Sequence, residues 1–136
     1  MSDKSNNAAT DWGLLVLRVS IGALMIIGHG WGKLTNFSDK ASSFPDPIGL
    51  GSEISMALAT GAEFFGSLLV IIGLGTRYAS ASVAVTMAVA AFIVHGSDGF
   101  GEMEMALVYG SVFLTLVITG GGRFSVDDLI KSKRNE

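Results

Sequence analysis

Arg18, His29 and Lys33 lie inside the apolar stretch Trp12–Leu34, Glu63 lies inside Ser52–Leu74, and His95 closes Tyr78–His95. Glu102 and Glu104 stand where a fourth apolar stretch, Met103–Gly120, opens. Each stretch is near the length of a bilayer-spanning helix, and an ionisable group facing lipid there costs several kcal/mol. Such groups should therefore turn toward a protein interior or a wet cavity. At about 3.6 residues per turn, Arg18, Gly22, Met25, His29 and Lys33 fall along one stripe of the first helix.

Three chemistries fit these residue types. A histidine and a carboxylate beside an apolar slot can hydrogen-bond the carbonyls of a quinone and handle protons near neutral pH. Two histidines with carboxylates could hold a first-row metal ion, although no short ligand motif joins them. His29 and His95, the only histidines, could instead ligate a haem between facing helices. The quinone reading leads, with metal and haem behind it, and no residue is singled out as catalytic.

Each group also has a plain structural explanation. Arg18 can serve structure alone or snorkel to the headgroups. Lys33, Arg77, His95, Glu102 and Glu104 stand at helix ends, where charge is ordinary, and a carboxylate at a helix N-terminus is favoured by the dipole. His29 and Glu63 are the hardest to explain this way. At about 1.5 Å per residue, Arg18 lies roughly 10 Å and Glu63, on the antiparallel second helix, roughly 15 Å from the same end of the bundle, so an Arg18–Glu63 ion pair is expected. His29, Lys33, His95, Glu102 and Glu104 are expected to converge on the opposite mouth.

The positioning elements follow from composition. With 136 residues, 49% hydrophobic and only 15% charged, and a mean hydropathy of +0.53, the chain has membrane rather than soluble character. The expected fold is all-α, a polytopic bundle of four transmembrane helices over residues 12–122. A polar tail, 1–11, precedes it, and a charged tail, 123–136, follows with a short surface helix from Ser125. Residues 1–11 lack the basic head and cleavage site of a secretory signal, so the first stretch is expected to be retained. Close helix contact is expected at small residues: Gly28 with Gly32, Ala62 with Gly66, and the series Ser80, Ala84, Ala88.

Lys4, Arg77, Arg123, Lys131, Lys133 and Arg134 fall at one end of such a bundle, against Lys33 and Lys40 at the other. The positive-inside rule then places both termini in the cytoplasm. The segment Thr35–Gly51, which holds Pro45 and Pro47, reads as an ordered loop lying over the outer mouth. A net charge of −3 without a basic stripe argues against nucleic acid. The chain has no cysteine, so redox or sulfur chemistry would need a bound cofactor or a partner protein.

From Leu14 to Asp127 the chain resembles the DoxX family. The motifs are Leu17-Arg18, His29-Gly30 and Lys33, then Glu63 with Gly66, Gly73-Leu74-Gly75-Thr76-Arg77, and Ile93-Val94-His95 followed by Gly99-Phe100. They continue through the run from Gly101 to Leu107 and close on Thr119-Gly120 and the run from Gly122 to Asp127. Where the family pattern reads Gly-Gly-x-Glu-Tyr-Pro, this chain carries Glu102, Met105 and Ala106. Glu104 carries over and the surrounding wall differs. The resemblance implies a four-helix inner-membrane protein, in a family named from a subunit linked to thiosulfate:quinone oxidoreductase, whose relatives are associated with redox stress and quinone or catechol handling.

The sequence thus leads to a quinone-associated redox component of the inner membrane, possessing a polar pocket of Arg18, His29, Lys33, Glu63, His95 and Glu104. It would work with lipid, a redox partner protein or a further copy of itself. The rival is a non-enzymatic scaffold or small-solute carrier that supports a partner.

Overall fold

The computed structural model describes residues 2–135, with side chains from residue 7 onward. Among them are four helices long and apolar enough to cross a membrane: Asn7–Thr35, Ser52–Ile72, Thr76–Val94 and Phe100–Thr119, here spans one to four. Span one continues a helix that begins at Ser2, so helical structure extends back through the polar N-terminal residues. The loop between spans one and two carries a short helix, Phe37–Lys40. A final helix, Val126–Arg134, follows span four.

The ends of these helices are written in residues that suit them. Ser125 caps the final helix by accepting the Asp128 N–H at 3.2 Å, and Asp127 and Asp128 in its first turn oppose basic residues in its last. Span two stops at Gly73, whose φ of +75° is the left-handed conformation glycine adopts without strain. The turn to span three is then short enough to keep the two helices in contact.

Spans one, three and four share a core of Ile21, Met25, Val83, Met87, Tyr109, Phe113 and Leu116, which Val70 of span two joins. Many outward side chains are apolar and exposed, among them Ile27, Phe92, Val108 and Ile118. That inversion of a soluble protein's surface is what a helix bundle in lipid requires.

Close approach occurs at Gly22, Gly30 and Gly66. A Cβ on Gly22 would lie 3.0 Å from the Ser67 carbonyl oxygen, and one on Gly66 would lie 3.0 Å from Ser82 Oγ. The close helix approach expected at the Gly28 and Gly32 pair is not formed: Gly32 has open space, and a Cβ on Gly28 would reach only the Tyr109 hydroxyl, at 4.0 Å. Gly30 takes that role, because a wide π-helical turn over Ile26–Gly30 rotates the end of span one.

Two further π turns interrupt the spans, Gly61–Gly66 in span two and Ala90–Val94 in span three. Each admits an extra residue into a helical turn, a feature frequent at functional sites. One contains His29, one contains Glu63, and the third ends immediately before His95.

Candidate functional site

The first two π turns press on each other. A Cβ on Gly30 would stand 2.8 Å from the Phe64 amide nitrogen and 2.9 Å from the Glu63 carbonyl, so only the missing side chain lets the backbones approach this closely. Gly30 therefore sets Glu63 level with the upper part of span one. Lys33 is one turn further on and lays its ammonium 2.6 Å from Glu63 Oε2. The Glu63 side chain is 5% exposed and that of Lys33 22%, so the carboxylate is buried with one charged donor and the cation retains access to the cavity.

The expected Arg18–Glu63 pair is not formed. Arg18 lies twelve residues below Gly30, roughly 18 Å along the helix axis, too far to reach a carboxylate held at the Gly30 level. The guanidinium instead binds carbonyls at the other end of the bundle: Val70 at 3.2 Å, Ile71 at 3.0 Å and Phe124 at 2.6 Å. Two of these belong to the last turn of span two, where the dipole favours a cation, and the Val70 carbonyl also accepts the Gly73 N–H at 3.2 Å. Arg18 is fully buried and ties spans one and two to the segment after span four.

Asp127 completes that knot from the other side. Its carboxylate accepts the Gly75 N–H at 2.7 Å and the Thr76 N–H at 2.9 Å, capping span three, while its own N–H donates to the Gly73 carbonyl. Burial pushes the Asp127 carboxyl up, but hydrogen bonds from Thr76 and Gly75 and the nearby Arg18 charge outweigh it and hold the group below its ordinary range. The bundle is closed at this end.

At the opposite end a hollow of about 470 Å³ opens between the four spans and the loop after span one. His29, Lys33, Glu63, His95, Glu102 and Tyr109 bring polarity to it, among apolar walls that include Leu58, Val85, Met87 and Met105. Phe44, Pro45, Pro47 and Ile48 form its cover, the position expected of the proline-containing loop. The cover is pinned by Asp46, which accepts the Leu50 and Gly51 N–H groups and the Ser55 hydroxyl, each at 2.9 Å. The Gly51 and Ser55 bonds lead in holding the Asp46 carboxyl below its ordinary range.

His29 meets the ring of Tyr109 edge-on, with centroids 5.3 Å apart. His95 Nδ1 lies 3.0 Å from Asp98 Oδ2, in the connection to span four. Of the residues anticipated from sequence, His29, Lys33, Glu63 and His95 come together. Arg18 belongs to the knot at the other end, and Glu104 is exposed and does not line the hollow, whereas Glu102 does. Tyr109, not singled out above, is 8% exposed and lines the cavity. Its signal was a hydroxyl-bearing aromatic in the middle of span four. Among the described residues, no three His, Asp or Glu side chains cluster closely enough to hold a metal ion.

Four apolar spans, an intramembrane ion pair and an apolar hollow open at one end define a polytopic helical membrane protein. A family model agrees with the architecture: the DoxX model matches residues 13–96. The chain belongs to the DoxX family.

Inner membrane protein YqjF of Escherichia coli is 30% identical over 127 residues, covering 90% of this chain and 95% of YqjF. Two uncharacterized proteins of Haemophilus influenzae are also similar: one is 32% identical over 85% of this chain and 88% of its own length, the other 29% identical over 76% and 69%. No solved structure matches significantly. The chain is a multi-pass inner-membrane protein.

Proposed function

We propose that this protein is a quinone-associated redox component whose ligand site is the covered hollow. The observation carrying the reading is the Lys33–Glu63 pair beneath apolar walls: a buried carboxylate and a partly accessible ammonium, 2.6 Å apart, facing a cavity of about 470 Å³. That volume lies within the usual range for small-molecule sites, which combine apolar lining with a few placed polar groups. A quinone head is flat and apolar and carries two carbonyl acceptors, and the hollow offers donors for them in Lys33 Nζ, the Tyr109 hydroxyl and the His29 ring. Bound there, a quinone would supply the electron-accepting chemistry. His29 and Glu63 are the groups suited to exchanging protons at its oxygens.

Electrons would come from a partner protein, since the chain has no cysteine to offer. The Lys and Arg bias favours cytoplasmic termini, so the hollow would open toward the outer face. Closure by Arg18 and Asp127 at the other end argues for a one-ended binding site over a through-going carrier.

The test is titration of purified protein in nanodiscs with a short-tailed ubiquinone, read by quenching of Trp31, which lies beside Phe64 with ring centroids 6.2 Å apart. Saturable quenching, weakened about tenfold or more in Lys33→Met for the loss of one charge-assisted hydrogen bond, is expected. Non-saturable quenching, or an unchanged affinity in Lys33→Met and Tyr109→Phe, would overturn the assignment.

A further inference from the structure

The closed end of the bundle carries a second hollow, of about 810 Å³, between the start of span one, the turn into span three, the glycines at 120–122 and the final helix. Arg77, Arg123 and Lys131 line it. Among the described residues none of these three cations is in an ion pair. Two of the three carboxylates sharing the wall accept backbone N–H groups. Asp127 caps span three with both oxygens, and Asp11 accepts the Arg123 backbone N–H at 3.0 Å. Asp128 stands in the first turn of the final helix, where the dipole favours it.

The Arg77 guanidinium is placed by the fold. Its Nη1 donates to the Val117 carbonyl at 3.1 Å, and it lies over Gly120, where a Cβ would be 3.3 Å from Nε. Gly120 has a φ of +76°, so a side chain there would be strained and would also crowd the cation. Among the described residues no acceptor meets the remaining guanidinium nitrogens, which leaves them for one from outside the chain.

The surroundings specify where that acceptor comes from. Tyr78 is 86% exposed beside the hollow, Trp12 packs on Phe124 with ring centroids 4.7 Å apart, and Leu129 and Ile130 of the final helix are exposed. Aromatic and aliphatic side chains flanking a recess whose wall carries three cations beside its three carboxylates, at the end of a bundle, are the arrangement of a headgroup site with acyl chains alongside. We propose that this hollow binds the phosphate of an anionic phospholipid, with Arg77, Arg123 and Lys131 as its recognition groups. The site is independent of the quinone reading, because it lies at the opposite end of the spans and shares no residue with the covered hollow.

The experiment uses Trp31→Phe protein, which retains Trp12 as its sole tryptophan, in bilayers containing brominated phosphatidylglycerol or brominated phosphatidylcholine. The anionic lipid is expected to quench Trp12 at lower mole fraction, by roughly fivefold for each cation that contributes. The preference is expected to vanish in Arg77→Gln/Arg123→Gln/Lys131→Gln and to survive millimolar glycerol 3-phosphate. Because Arg77 also bonds Val117, the Arg123→Gln/Lys131→Gln protein supplies the same readout should the triple variant fail to fold. Equal quenching by the two lipids, or a preference unaffected by these substitutions, would overturn the proposal. Its abolition by glycerol 3-phosphate would overturn the lipid assignment in favour of a soluble phosphate ester.

Discussion

Lys33 and Glu63 meet at 2.6 Å across spans one and two, and Gly30, one turn before Lys33, makes the meeting possible by letting span one touch the Glu63–Phe64 backbone. The charge pair and the glycine contact are one device: the first satisfies a carboxylate in the bundle interior, the second fixes the level at which it is presented.

Breaking the pair one partner at a time is expected to be costlier than removing both. Lys33→Met leaves Glu63 buried without its cation, and such losses run to about 3–5 kcal/mol. Lys33→Met/Glu63→Leu should recover much of that stability while abolishing ligand binding. Thermal unfolding of the two singles and the double in one detergent measures the coupling.

Gly30→Ala is expected to destabilise by about 1–3 kcal/mol, since the added methyl meets backbone atoms that cannot rotate away. Gly32→Ala, with open space at its Cβ, should be neutral or slightly stabilising through helix propensity. Equal melting temperatures for the two variants would contradict the close-packed level described above.

At the closed end, Gly73→Ala is expected to be worse than Gly75→Ala. Both glycines have positive φ, which costs an L-residue about 1–2 kcal/mol. Only at Gly73 would the new methyl also meet the Arg18 guanidinium and Ser125, whereas Gly75 faces open space. Arg18→Lys should resemble Gly73→Ala in loosening the segment after span four, because one ammonium cannot reproduce the guanidinium's reach to Val70, Ile71 and Phe124. Protease sensitivity around residues 120–127 reads both effects.

The knot should also respond to acid. The Asp127 carboxyl is held below its ordinary value of 3.8 in the folded protein, so the native state binds that proton less readily than the unfolded chain. The stabilisation is fully present above the ordinary value and is lost as pH falls below 3.8 through the native value. Asp127→Asn should be less stable at neutral pH and should show a shallower loss on acidification. Unfolding followed from pH 7 to pH 2.5 compares the slopes.

Much of this organisation is legible along the chain. Apolar runs of membrane length, the polar Thr35–Gly51 segment with its prolines and the glycines at 73 and 75 dictate four spans, a cover and a tight turn, because hydropathy and backbone sterics act locally. His29, Lys33 and His95 could likewise be placed at one mouth by counting residues along a helix. The partner of Glu63 could not. Counting gives a residue's depth along its own helix but not how far one helix is shifted against the next, and the π turn at Gly61–Gly66 rotates Glu63, so the level at which Arg18 and Glu63 stand relative to each other does not follow from it. Only the packed structure decided that Glu63 rises with Gly30 to meet Lys33, that Arg18 is left to the carbonyls of Val70, Ile71 and Phe124, and that Tyr109 turns inward. Those outcomes depend on contact between spans, which local sequence does not encode.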